Sequence, residues 1–146
     1  MNERRFMSNI KSSFLENNIW STILVDGSDF SPRPCDMIAN YHGRLWAIEG
    51  KFQKSFKAFG LSQIRDSQRL NLDAITQGGG IASIFLNIWI PRQENRLLIW
   101  HLQDFKSRAE KSSFKKGELM AMPYIQGSKN RFSVQEILKS VNKFLY

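Results

Sequence analysis

Residues 34–51 read PCDMIANYHGRLWAIEGK, and this stretch decides how the chain folds. It holds two β-like runs, residues 36–41 and 44–52, separated by His42-Gly43, a pair suited to a two-residue hairpin turn. With that turn, Asp36 lies directly across from Glu49 on one face of the ribbon. Strand alternation puts Leu45, Ala47, Glu49 and Lys51 on one side and Trp46, Ile48, Gly50 and Phe52 on the other. Two carboxylates and an ammonium therefore gather at one end of an otherwise apolar hairpin, where each unpaired buried charge costs roughly several kcal/mol. A divalent cation is the simplest compensation. A Glu and a Lys two apart also describe a solvated strand face. The apolar residues on both sides of the second run suit a strand covered on two faces and favour the buried reading.

Composition bounds the rest. A chain of 146 residues is expected to form one domain with a real core, and 42% hydrophobic with 23% charged residues is ordinary for a globular protein. Lys and Arg total 21 against 13 Asp and Glu, and the balance of +8 points to a polyanionic partner such as nucleic acid. The single cysteine, Cys35, excludes an internal disulfide and a multi-cysteine zinc site. No apolar run reaches the length of a membrane span, and the polar start MNERRF is not a signal peptide, so the expected location is the cytoplasm, with no membrane partner.

Outward from the hairpin, residues 2–17 form a helix with Phe6, Met7, Ile10 and Phe14 as its buried stripe and Glu3 at the N-terminal end of that stripe. A carboxylate there also serves the helix dipole. Residues 20–25 read as a strand and 26–34 as a loop by their Gly, Pro, Ser and Asp content. Residues 53–60 are a basic loop. A second helix is expected over 61–77, with Ile64, Leu72 and Ile75 inward, Arg65, Gln68 and Arg69 outward, and Gly78 to Gly80 ending it. Residues 81–90 read as a central strand covered on both faces, and 96–102 as its returning partner. A short helix is expected over 104–111 and a basic loop over 112–117. Ser133 and Glu136 open a closing helix with Ile137, Leu138, Val141 and Phe144 on its apolar side. The order predicts a single-domain α/β fold, one central mixed sheet flanked by helices.

That order, with an acid in the first helix, Asp and Glu-x-Lys on a hairpin and Gln in the next helix, resembles the PD-(D/E)XK nuclease superfamily. Within it the chain is similar to the Holliday junction resolvases of the archaeal Hjc and bacterial RecU groups. Residues 2–6, NERRF, are similar to the Glu-bearing start of the archaeal first helix, and residues 28–38, SDFSPRPCDMI, to the Ser-rich loop before the motif Asp. Glu49-Gly50-Lys51 matches the E-x-K element, Gln63-Ile64-Arg65 the Gln opening the following helix, and residues 77–81 the Gly-rich turn of the bacterial group. The resemblance covers residues 2–102. Cys35 stands where the superfamily has Pro, Gly50 replaces a commoner apolar residue, and no room exists between Val25 and Asp36 for the RecU stalk.

The resemblance implies a restriction-endonuclease-like fold and a metal-dependent DNA endonuclease. Mg²⁺, with Mn²⁺ able to substitute, would be held by Asp36, Glu49 and Glu3, with the Ile48 or Gly50 carbonyl nearby. Lys51 would orient or deprotonate the attacking water or stabilise the charged phosphorus centre, and Gln63 would hold water or a phosphate oxygen. Ser31, Lys54, Lys57, Arg65 and Arg69 are candidate DNA contacts. The substrate implied is branched DNA, above all the four-way junction. Two symmetric cuts then require a homodimer, for which Phe56, Phe59, Trp100, Phe105 and residues 120–124 are candidate contacts. A restriction or repair nuclease of the same superfamily, and a non-catalytic DNA-binding module of the same fold, are the alternatives.

Overall fold

The computed structural model describes residues 1–25 and 33–143. Among the described residues six strands, β1 (Ser21–Ile23), β2 (Met37–Tyr41), β3 (Arg44–Gln53), β4 (Ile81–Ile90), β5 (Glu94–His101) and β6 (Ile125–Gln126), form one sheet whose spatial order follows the chain. All neighbours are antiparallel except β3 and β4, which run parallel and so need a long crossover. That crossover carries a 3₁₀ turn (Leu61–Gln63) and a helix over Asp66–Gln77. The other helices are Glu3–Glu16, Leu102–Ala109, Lys116–Ala121 and Val134–Asn142; in chain order the five are α1 to α5. This is the expected α/β architecture of one mixed sheet flanked by helices.

The hairpin has the expected register. His42 and Gly43 both have positive φ, +48° and +83°, as a two-residue turn matched to strand twist requires, and the Asn40 side chain accepts the Gly43 N–H at 2.9 Å. Met37 pairs with Ile48 and Tyr41 with Arg44, which sets Asp36 opposite Glu49. β3 runs on past the start of β2. The β2-facing edge of the strand from Gly50 onward is thereby left to other partners.

Two apolar layers cover the sheet. Phe6, Met7, Ile10 and Phe14 of α1, with Val134, Ile137 and Val141 of α5, pack on Met37, Trp46, Ile48 and Phe85. Leu72 of α2 and Leu102 and Phe105 of α3 pack on Ala47, Ile84, Leu86 and Trp100 from the opposite side. α1 starts where its sequence directs, since Asn2 Oδ1 accepts the Arg5 N–H at 2.9 Å. Ser133 caps α5 by accepting the Glu136 N–H at 3.3 Å; Phe144 lies outside the described residues.

Three expectations change. The helix expected over 61–77 is interrupted, because Ile64 is extended (φ −116°, ψ 120°) and buried, and α2 begins only at Asp66. The basic loop over 112–117 leads straight into α4, pinned by paired backbone bonds between Phe59 and Phe114. Phe56, Phe59, Trp100 and Phe105 are buried, so they are not dimer contacts. The rings of Phe59, Trp100, Phe105 and Phe114 form one aromatic cluster with centroids 5.2–6.0 Å apart. Met120 and Tyr124 remain exposed.

Candidate active site

The charged cluster lies where β2 begins and β3 continues alone. Asp36 is 4% exposed and Glu49 is fully buried. Strand alternation from Ala47 turns Glu49 toward the layer of α2 and α3, whereas Asp36 sits in the bend before β2 and lines the cleft beside α1. The Asp36 Oδ2 atom accepts the Gly50 N–H at 2.7 Å, so the carboxylate takes the place of a missing strand neighbour. Oδ1 accepts from Arg33 Nε at 3.1 Å and Nη2 at 2.8 Å. Glu49 differs. Neither of its oxygens accepts a hydrogen bond among the described residues, although the Lys51 ammonium stands 3.3 Å from Oε1. Burial, reinforced by the negative charge of Asp36, pushes the Glu49 carboxyl up to about 8 against the opposing pull of Lys51.

Cys35 closes the floor. Its thiol is buried, donates to the Met37 carbonyl at 3.4 Å, and is pushed up to about 12 by burial and by the nearby Glu49 charge. It stays a neutral, unreactive wall.

Glu3 approaches from α1. A cleft of about 570 Å³ opens beside Asp36, lined by Glu3, Arg4, Ser8 and Arg33 among others. Burial raises the Glu3 carboxyl from its ordinary value; Lys51 lowers it, Asp36 raises it and Arg33 lowers it, so four charges on three chain segments share one field. Gly50 makes this approach possible. Met7 of α1 lies so close that any β-carbon at position 50 would collide with its sulfur. The glycine in the Glu-x-Lys element is thus a packing requirement of the helix that carries Glu3.

The donor set suits a hard divalent cation, because two carboxylates, one of them buried with both oxygens unbonded, are oxygen ligands awaiting a counter-charge. The Gly50 carbonyl leaves β3 on the same edge as the Gly50 N–H that meets Asp36. Among the described residues no three His, Cys, Asp or Glu side chains converge as a metal-binding group. Asp36 and Glu49 form the close carboxylate pair, and Glu3 shares their field from α1.

Gln63 is exposed and engaged locally, its Oε1 accepting the Gly60 N–H at 2.7 Å and the Ser62 hydroxyl at 3.2 Å. The glutamine on the inner face of α2 is Gln68, expected outside but only 1% exposed. Gln68 stands one turn before Leu72 on the same face of α2, a spacing that holds wherever the helix begins. Gln53 also escaped the sequence reading. It continues the Glu49 and Lys51 face, is buried, and has neither amide atom bonded among the described residues. Arg33 carried no recognisable spacing, although an arginine three residues before a buried aspartate is suited to forked pairing.

Lys54, Lys57 and Arg65 are exposed on the crossover, and Arg69 is ion-paired with Asp66. Ser31 lies outside the described residues. Farther along, Lys106 is paired with Asp73 at 2.7 Å and Arg108 with Glu118, while Lys111, Lys115 and Lys116 are exposed.

No protein-family model matches the chain, and no curated protein matches it. Among solved structures it is similar to Hjc, a Holliday junction resolvase from the archaeal hyperthermophile Archaeoglobus fulgidus, with 22% identity, a TM-score of 0.48, and coverage of 68% of this chain and 77% of that one. Among the described residues no helix is long and apolar enough to cross a membrane.

Proposed function

We propose that residues 1–146 form one nuclease domain that cuts branched DNA, with the four-way junction as its principal substrate, and that it works as a homodimer with Mg²⁺ or Mn²⁺. The observation that carries this reading is Glu49, a buried carboxylate with no hydrogen bond, across from Asp36 and 3.3 Å from the Lys51 ammonium. Such a group costs stability and is kept where a ligand completes it. The net charge of +8 supports a polyanionic substrate, and the motif order described above supports the junction as the form it takes.

Asp36 and Glu49 would hold the cation, with the Gly50 carbonyl beside them and Glu3 adding negative charge. When bound, the cation supplies charge neutralisation at the phosphate and an acidified water. Lys51 orients the attacking water and presents a compact positive charge to the phosphorus centre as negative charge grows on its oxygens. Cys35 and Ala47 keep the floor of the site dry, which strengthens these interactions. Lys54, Lys57, Arg65, Arg69 and Ser31 are assigned to the DNA backbone, where they set register without reading bases.

The test is a panel of labelled four-way, Y-shaped and linear DNA in Mg²⁺. The expected result is cleavage of the four-way junction at least about tenfold faster than linear duplex, with cuts paired on opposing strands in one binding event. Equal rates on linear duplex would move the reading to a restriction or repair nuclease, and single nicks would remove the dimer.

A further inference from the structure

Arg33 is the one cationic group hydrogen-bonded to Asp36 among the described residues, and it occupies Oδ1 of the carboxylate assigned above to the cation. A carboxylate offers about four lone-pair positions. Three of those on Asp36 are taken, two on Oδ1 by Arg33 and one on Oδ2 by the Gly50 N–H. The Gly50 bond is fixed by the strand. The Arg33 side chain is 30% exposed at the edge of the 570 Å³ cleft, and it is the partner with somewhere to go.

The charges favour a move. Among the groups whose charges act on Glu3 and Glu49, all taken as ionised, Glu3, Asp36 and Glu49 against Arg33 and Lys51 leave one net negative charge; Arg4 also lines the cleft and lies outside this set. A divalent cation turns this into one net positive charge, which a single phosphodiester cancels. Arg33 is thus surplus at Asp36 once the cation is present and is needed again when a phosphate enters. Its planar fork suits two phosphate oxygens as well as it suits a carboxylate.

Building on the nuclease reading, we infer that Arg33 is a resident counter-ion of Asp36 that gives way to the divalent cation and then holds the scissile phosphodiester. Its removal therefore acts in opposite directions on the two partners. In calorimetric titration with Mn²⁺ and no DNA, Arg33→Ala and Arg33→Lys should both bind the ion about tenfold more tightly than wild type, because the forked, charge-assisted hydrogen bonds to Asp36 no longer have to be broken. Lysine keeps the positive charge but not the fork, so long-range electrostatics alone would leave Arg33→Lys at wild-type affinity. At saturating Mn²⁺, single-turnover cleavage of a four-way junction by Arg33→Ala should be slower by about tenfold or more.

Thermal melting checks the fold, and if Arg33→Ala does not fold, Arg33→Lys carries both measurements. Unchanged or weaker Mn²⁺ binding in Arg33→Lys overturns the competition, and undiminished cleavage by the folded variant at saturating Mn²⁺ overturns the phosphate role. A wild type that binds Mn²⁺ but cuts no DNA overturns the nuclease reading and the phosphate role together, while the titration still decides the competition. A wild type that takes up no Mn²⁺ overturns the whole inference.

Discussion

Glu49 makes the protein's stability depend on pH in an unusual direction. Its carboxyl is raised from 4.5 to about 8 in the folded chain. Between those values the folded state holds a proton that the unfolded state releases, so stability contributed at low pH is lost as pH rises. The melting temperature without divalent cations should therefore fall between pH 5 and 8 relative to that of Glu49→Gln, whose neutral amide removes the titration. Circular dichroism melts of both proteins measure the difference, and a difference that is flat or rises with pH would remove Glu49 from its buried, uncompensated setting. At this scale the sequence exposed much of the site. Asp36, Glu49 and Lys51 could be grouped because the His42-Gly43 turn fixes the strand register. Arg33 and Gln53 could not, because a lone Arg or Gln has no periodic signature and its partner depends on tertiary packing.

At the level of elements, α1 and β3 meet through Gly50, and this contact brings Glu3 to the charged cluster. Gly50→Ala forces a methyl group against Met7 and should destabilise the protein by about 1–3 kcal/mol. It should also slow cleavage at saturating cation, because the N-terminal end of α1 is displaced from Asp36. Urea denaturation and single-turnover kinetics read the two effects, and an alanine variant as stable as wild type would show that α1 is free to shift without consequence. The α1 stripe was legible in the sequence because its four apolar residues follow a helical period without interruption. The start of α2 was not, since Leu61 to Gln77 keeps helical spacing across a residue that is extended. Gln68 was misplaced for a different reason, since its polarity outweighed a spacing that puts it one turn from the buried Leu72.

For the whole molecule, the alternation of α1, a strand hairpin, α2 and two long strands was enough to predict a mixed sheet with helices on both sides. The aromatic part of the core was less legible. Hydrophobicity marks Phe59, Trp100 and Phe105 as apolar but not as mutual partners in an aromatic cluster, which only the return of residues 102–114 across the sheet creates. The central claim is that Asp36 and Glu49 hold a cation that drives phosphodiester hydrolysis. Its most direct test is to incubate wild type and Glu49→Gln with a four-way junction labelled on each strand, in Mg²⁺ or in EDTA, and to measure binding and cleavage side by side. Wild type should cut in Mg²⁺ and not in EDTA, whereas Glu49→Gln, which loses a negative charge near the phosphate, should bind the junction at least as tightly yet cut slower by about 100-fold or more. Cleavage by Glu49→Gln at the wild-type rate, or cleavage by wild type undiminished in EDTA, would contradict the account.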